Sequence, residues 1–246
     1  IARCRVFVGT VATLSSKTEL FRLKTFDVAI VDEATQILEP QLLGLLCTRN
    51  PTGDDAIGKF ILIGDHKQLP AVVLQSSEQS AVCDEALNAI GLHNLKDSLF
   101  ERLYRSHNQS LTTDQSPVTD HCSSLLCRQG RMNVEVALFP NHAFYGGLLQ
   151  PVGLPHQQGG LSLSSELSDC EFAGLLTRRV AFLPSVPEPS AQSAKMNHSE
   201  ASMAARLAAA VYRQYSSTAG FDSLSTLGII TPYRSQVGGQ AVLGRQ

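Results

Sequence analysis

Two carboxylates follow directly on an apolar run in Val28-Ala-Ile-Val-Asp-Glu-Ala-Thr-Gln36. This is the Walker B form, in which Asp32 would hold Mg²⁺ and Glu33 would orient or deprotonate a water. A second apolar run ends in the same way, Phe60-Ile-Leu-Ile-Gly-Asp-His-Lys-Gln-Leu-Pro70. Here Gly64 lets the chain turn away. The Gln68 amide can bond both a phosphate oxygen and a water, so it can report whether a γ-phosphate is present. Each run reads as a buried parallel strand delivering polar groups at its carboxyl end, where ligands sit in open α/β sheets. A strand followed by an acidic or Gly-Asp turn accounts for either segment alone; the two together point to a nucleotide site.

Two further segments carry candidate chemistry. Arg128-Gln-Gly-Arg-Met132 places cations just past an expected strand. An arginine reaching developing charge assists phosphoryl transfer, although a lone arginine is usually a surface residue. Thr231-Pro-Tyr-Arg234 offers a hydroxyl, backbone and an aromatic face to a sugar–phosphate chain and a base. It equally fits a strand-to-helix turn with Pro232 at the first helical position. Gly53-Asp-Asp-Ala-Ile-Gly58-Lys59 nearly spells a phosphate loop but is followed by Phe60 where Ser or Thr should bind Mg²⁺. It also precedes a strand, whereas a phosphate loop opens a helix.

The elements that must position these groups alternate. Strands are expected at 5–8, 28–31, 60–63, 123–127, 179–183 and 227–230. Helices are expected at 18–24, 39–46 with Pro40 in the first turn, 80–90, 96–104, 133–144 interrupted by Pro140, and 199–215. Asn197 should cap the last of these, with Glu200 completing a capping box. Loops fill 50–58 and 184–194, 105–121 reads as a polar linker, and 154–170 as a Gly/Ser-rich surface insertion. Such alternation argues an α/β fold with parallel sheets.

The 246 residues are 43% apolar and 17% charged, enough to bury a core. The net charge of −2 leaves no general basic footprint, so any nucleic-acid contact must be local. No apolar run approaches membrane-spanning length, and no membrane partner is expected. Six cysteines without a C-x-x-C pair suggest a reduced, intracellular setting, with nucleus and cytoplasm equally open. His121, Cys122 and Cys127 cluster but lack a second ligand pair at suitable spacing for a metal site. Both ends read as cut from a longer chain.

In combination and order, these segments resemble the superfamily 1 helicases, nearest to the branch of the nonsense-mediated-decay helicase and the replication helicase–nuclease. Val31-Asp-Glu-Ala-Thr-Gln36 resembles motif II. Leu62-Ile-Gly-Asp-His-Lys-Gln-Leu-Pro70 resembles motif III, with His66 most like the helicase–nuclease group. Gln129-Gly-Arg-Met-Asn133 resembles the Gln-Tyr-Arg-Met motif, with Gly130 in place of the aromatic. Met196-Asn-His-Ser-Glu-Ala201 and Ile229-Ile-Thr-Pro-Tyr-Arg-Ser-Gln236 match two later segments.

The resemblance implies two incomplete RecA-like (P-loop NTPase) domains with parallel sheets flanked by helices and ATP between them. The first would span 1–108 and the second 122–246, with a linker at 109–121. It implies Mg²⁺ on Asp32, water activation by Glu33, γ-phosphate sensing by Gln68 and an arginine finger at Arg131. Thr10 and Thr231, Pro232 and Tyr233 would lie along single-stranded nucleic acid, with the likeness tilting it to DNA over RNA. The phosphate loop and last motifs would come from helicase segments on either side, so the fragment alone should hydrolyse ATP poorly. A catalytically silent scaffold or interaction module derived from a helicase gene is the alternative.

Overall fold

A computed structural model describes residues 3–113, 122–159, 163, 170–186, 195–218 and 220–237. The chain forms two compact units, Ile1–Leu125 and Leu126–Gln246. The first contains α1 (Val11–Ser16), α2 (Glu19–Leu23), β1 (Ala29–Val31), α3 (Glu39–Leu46), β2 (Phe60–Leu62), α4 (Glu85–Ala89) and α5 (Leu99–Thr113). The second contains β3 (Arg128–Gln129), α6 (Val134–Phe144), β4 (Gln150–Pro151), α7 (Pro155–Gln158), α8 (Ala173–Leu176) and α9 (His198–Thr218). Both units are α/β, with parallel strand pairs and helices, as expected.

In the first unit β1 and β2 pair in parallel, with Ala29 opposite Phe60 and Val31 opposite Leu62. Pairing continues past the strand ends: Ile63 N–H donates to Val31 C=O at 2.8 Å and Ala34 N–H to Ile63 C=O at 2.8 Å. One sheet face packs on α3, α5 and α2 through Val31, Leu42, Leu45, Leu99 and Phe21. The other face does not match the expected buried strands. Val28, Ile30, Ile61 and Ile63 alternate onto it and are 44%, 66%, 40% and 44% exposed. No described element covers them.

An ion pair ties the helices of this unit together. Arg102 Nε donates to Glu39 Oε2 at 2.7 Å and Nη2 to Oε1 at 2.5 Å, while Nη1 donates to Ile90 C=O at 2.9 Å. The hydrogen bonds and charge of Glu39 raise the already high Arg102 pKa against the opposing effect of burial.

In the second unit β3 and β4 pair in parallel. The Asn133 side chain caps α6 by accepting the Glu135 N–H at 3.0 Å. Asn141 on α6 then grips Leu149, donating to its C=O at 3.0 Å and accepting its N–H at 2.9 Å, which sets the entry to β4.

Several expected elements differ. Residues 5–8, 179–183 and 227–230 are not strands, because no described strand pairs with them; Val8, Phe182 and Ile230 are 93%, 90% and 96% exposed. The strand expected at 123–127 forms at Arg128–Gln129. The helix expected over 80–90 contracts to Glu85–Ala89, where Asp84 accepts the Leu87 N–H at 3.0 Å. The helix expected over 96–104 starts at Leu99, capped by the Ser98 hydroxyl on the Glu101 N–H at 3.1 Å, and runs to Thr113. Polar residues 105–113 carry no Gly or Pro to stop it, so the first part of the expected linker is helical. Pro140 sits inside α6 without interrupting it. Residues 114–121, most of the expected insertion at 160–169, and 187–194 lie outside the described residues.

Candidate active site

The end of β1 turns sharply at Glu33. Its backbone is left-handed, φ 52° and ψ 38°, the one positive φ outside glycine among the described residues. Such a conformation costs on the order of 1–3 kcal/mol and is usually held by its surroundings. Here the next N–H, of Ala34, is fixed to Ile63 C=O, and residues 34–36 form a tight 3₁₀ turn whose Ala34 and Thr35 are buried. The strain aims two neighbouring carboxylates outward from the carboxyl end of the sheet. Asp32 Oδ1 accepts the Glu33 N–H at 3.0 Å, and Glu33 Oε2 accepts Gln36 Nε2 at 3.3 Å. Both carboxylates are exposed. Mg²⁺ takes hard oxygen donors, commonly one or two carboxylates beside phosphate oxygens and water. Asp32, with only one of its oxygens engaged by the turn, fits that donor set.

The end of β2 meets this turn directly. A Cβ at Gly64 would stand 3.0 Å from both the Thr35 nitrogen and its Cγ2, so glycine is needed for this close approach. Asp65 then organises the next turn. Its Oδ1 accepts the Lys67 N–H at 2.9 Å, its Oδ2 accepts Gln68 Nε2 at 3.0 Å, and its C=O accepts the Gln68 N–H at 3.1 Å. Gln68 is thus a side chain oriented by its own loop, and exposed. Asp65 was absent from the sequence candidates; the Gly-Asp pair, with Asp able to bond N–H groups two residues on, was the available signal. His66 lies over the Tyr104 ring of α5, with centroids 4.4 Å apart. Asp32, Glu33 and Gln68 therefore sit on two loops that leave adjacent strand ends.

The rejected phosphate-loop lookalike is a loop before a strand. Gly58 N–H donates to Phe26 C=O, and Lys59 C=O accepts the Ala29 N–H. No helix N-terminus follows it. Among the described residues no group of three His, Cys, Asp or Glu could hold a metal ion, and His121 lies outside them. No helix among the described residues is long and apolar enough to cross a membrane.

The other candidates are placed as follows. Arg131 is exposed at the tip of a short loop between β3 and α6. Its N–H and that of Met132 both donate to Gln129 Oε1, at 3.1 and 2.8 Å. No salt bridge involves its guanidinium among the described residues. Thr10 caps α1, its hydroxyl oxygen accepting the Thr13 N–H at 3.1 Å. Pro232 is not the first helical residue: a helical turn occupies 234–237, two positions on. Tyr233 carries Lys195 Nζ 5.6 Å from its ring centroid.

Gln236, also absent from the candidates, is buried and anchors the whole segment. It accepts the Asn197 N–H at 2.8 Å and donates to the Asn197 C=O at 2.9 Å. It does at the start of α9 what the expected capping box assigned to Glu200. Asn197 still caps Glu200 N–H at 3.1 Å, but the Glu200 carboxylate accepts from the Ser185 hydroxyl instead.

Comparison with known proteins adds a family context. Two family models, each described as an AAA domain, match residues 1–76 and 95–239. Among curated proteins, the DNA replication ATP-dependent helicase/nuclease of Mus musculus is 30% identical over 237 residues, which is 89% of this chain and 19% of that protein. An ATP-dependent helicase of Methanocaldococcus jannaschii is 31% identical over 150 residues, 61% of this chain and 17% of that protein. The DNA polymerase alpha-associated DNA helicase A of Saccharomyces cerevisiae is 30% identical over 156 residues, 61% of this chain and 19% of that protein. The chain spans less than a fifth of the length of these relatives.

Proposed function

This chain belongs to the superfamily 1 helicases, whose AAA domains have the RecA-like P-loop fold, and on that premise we propose that it is part of an ATP-driven motor acting on single-stranded DNA. The observation that carries the proposal is the close approach of Gly64 to Thr35, two residues after a left-handed Glu33, at the carboxyl ends of paired parallel strands. Two carboxylates and an amide steadied by Asp65 on neighbouring loops support a reading as metal-assisted phosphoryl transfer to water.

In the proposed reaction Asp32 holds Mg²⁺ against the nucleotide. When bound, Mg²⁺ neutralises charge on the phosphate oxygens. Glu33 accepts a proton from the attacking water as its oxygen bonds the γ-phosphorus and the bond from that phosphorus to the β–γ bridging oxygen breaks, releasing ADP and phosphate. Gln68, steadied by Asp65, bonds a γ-phosphate oxygen and registers its departure. Arg131 is read as the cation that offsets charge on the transferring phosphoryl group. Thr10, Thr231, Pro232 and Tyr233 contact the strand chiefly through its backbone, so little sequence preference is expected. The relatives named as DNA helicases favour DNA over RNA. The phosphate grip comes from a Gly-x-x-x-x-Gly-Lys-Ser/Thr loop outside these residues, in a reducing, intracellular setting.

The test is the ATPase rate of the whole protein with single-stranded DNA or RNA oligonucleotides of equal length. DNA should stimulate turnover, as expected of a rate coupled to strand engagement. Stimulation by RNA alone would overturn the substrate assignment. No stimulation by either would favour a silent scaffold.

A further inference from the structure

We infer that Gln157, with His156 beside it, is a positioning residue for Arg131. The inference rests on the reading of Arg131 as the arginine that meets the transferring phosphoryl group. Gln157 lies on α7, within the stretch the sequence presents as a surface insertion, yet its side chain is fully buried (0% exposed). A buried amide must find partners for both its oxygen and its nitrogen. Its Oε1 accepts the Gly153 and Leu154 N–H groups at 3.0 and 3.1 Å. Its Nε2 donates to the Gln129 C=O at 2.8 Å and the Met132 C=O at 3.2 Å. Those two carbonyls bracket Gly130 and Arg131.

Neighbouring groups complete the hold. Gln129 takes the Arg131 and Met132 N–H groups on its Oε1 and donates its Nε2 to the Met132 C=O at 2.9 Å. His156 Nε2 lies 2.9 Å from the Gly130 carbonyl oxygen and donates to it in the tautomer that carries that proton. Asn133 Nδ2 donates to the His156 and Gly159 carbonyls at 3.2 and 3.3 Å, fastening α7 to the base of the loop. Gly130 has no side chain to pack, and a Cβ there would meet nothing closer than 3.5 Å. Hydrogen bonds from the 153–159 segment therefore hold this loop with no side chain at 130. They fix backbone on both sides of Arg131 and leave its guanidinium outside the network.

The experiment measures single-turnover and steady-state ATP hydrolysis by the whole protein with saturating single-stranded DNA. Gln157→Met and His156→Ala are compared alone and combined with Arg131→Ala. Arg131→Ala should lower kcat by about 10³-fold or more, the lower end for an arginine finger. Gln157→Met should lower kcat by about 10- to 100-fold, the scale of a misplacement near 1 Å, with KM for ATP within about twofold. His156→Ala, at an exposed side chain, should lose about threefold in the same manner. In the Arg131→Ala background both losses should vanish, because a positioning residue has nothing left to position. A kcat unchanged by Gln157→Met and His156→Ala, or lowered by the same factor in both backgrounds, overturns the inference while leaving Arg131 its role. An unchanged kcat in Arg131→Ala overturns the reading of Arg131 itself. If Gln157→Met does not fold, His156→Ala carries the same comparison alone.

Discussion

Gly64→Ala tests the contact on which the site is built. The added Cβ would fall 3.0 Å from the Thr35 nitrogen and 3.0 Å from its Cγ2. Carbon contacts are comfortable at about 3.5–4.0 Å, so the loops must part by roughly 0.5–1 Å. Thr35 is 7% exposed, and its neighbour Ala34 is pinned by its N–H to Ile63 C=O, so the turn has little room to retreat. Overpacking of this kind costs about 1–3 kcal/mol. Part of the clash is with backbone, so Thr35→Ala added to Gly64→Ala should recover some of the loss and not all of it. Gly174→Ala is the control: it lies in α8, and a Cβ there meets nothing within 4 Å. It should be neutral or stabilising by about 0.5–1 kcal/mol, the usual gain in a helix. Urea titration followed by far-ultraviolet circular dichroism gives the stabilities; the ATPase of the whole protein should fall with Gly64→Ala and not with Gly174→Ala. A Gly64→Ala protein within about 0.5 kcal/mol of the parent, the ordinary scatter of neutral substitutions, would refute the close approach as described.

Two other outcomes follow from the geometry. Arg102→Met should destabilise the first unit by about 3–5 kcal/mol, because it leaves the Glu39 carboxylate buried and unpaired, whereas Arg102→Met with Glu39→Met should recover most of that loss; equal losses in the single and double variants would count against the pair. The isolated chain should turn over ATP at close to the background rate, since its sequence holds no Gly-x-x-x-x-Gly-Lys-Ser/Thr run; ready hydrolysis by these residues alone would show that the phosphate grip lies among them.

The parts of the fold carried by local pattern were legible. The run ending at Val31 and the one beginning at Phe60 announced β1 and β2, and Pro40 marked the first turn of α3. Their polar sequels announced the candidate site, because each chemical group follows its strand directly. Non-local features were hidden. Residues 5–8, 179–183 and 227–230 have strand-like composition, but a strand exists only where another chain segment pairs with it. The one-sided burial of β1 and β2 depends on what covers Ile30 and Ile61, which composition does not specify. Buried amides were hidden for the same reason: nothing local to Gln157 or Gln236 tells that each closes on backbone 25 or more residues away. Glu200 shows the converse, since its capping-box spacing is satisfied in sequence while its carboxylate engages Ser185.

Glu33, held in a left-handed backbone, is proposed as the base for water. Glu33→Gln keeps the side-chain shape and an amide that can still meet Gln36, but removes the proton acceptor. Single-turnover ATP hydrolysis by the whole protein, with nucleotide binding followed in parallel, separates the two effects. A hydrolysis rate lower by about 10²- to 10⁴-fold with nucleotide binding retained is expected. A rate equal to that of the parent, at equal nucleotide occupancy, would contradict it.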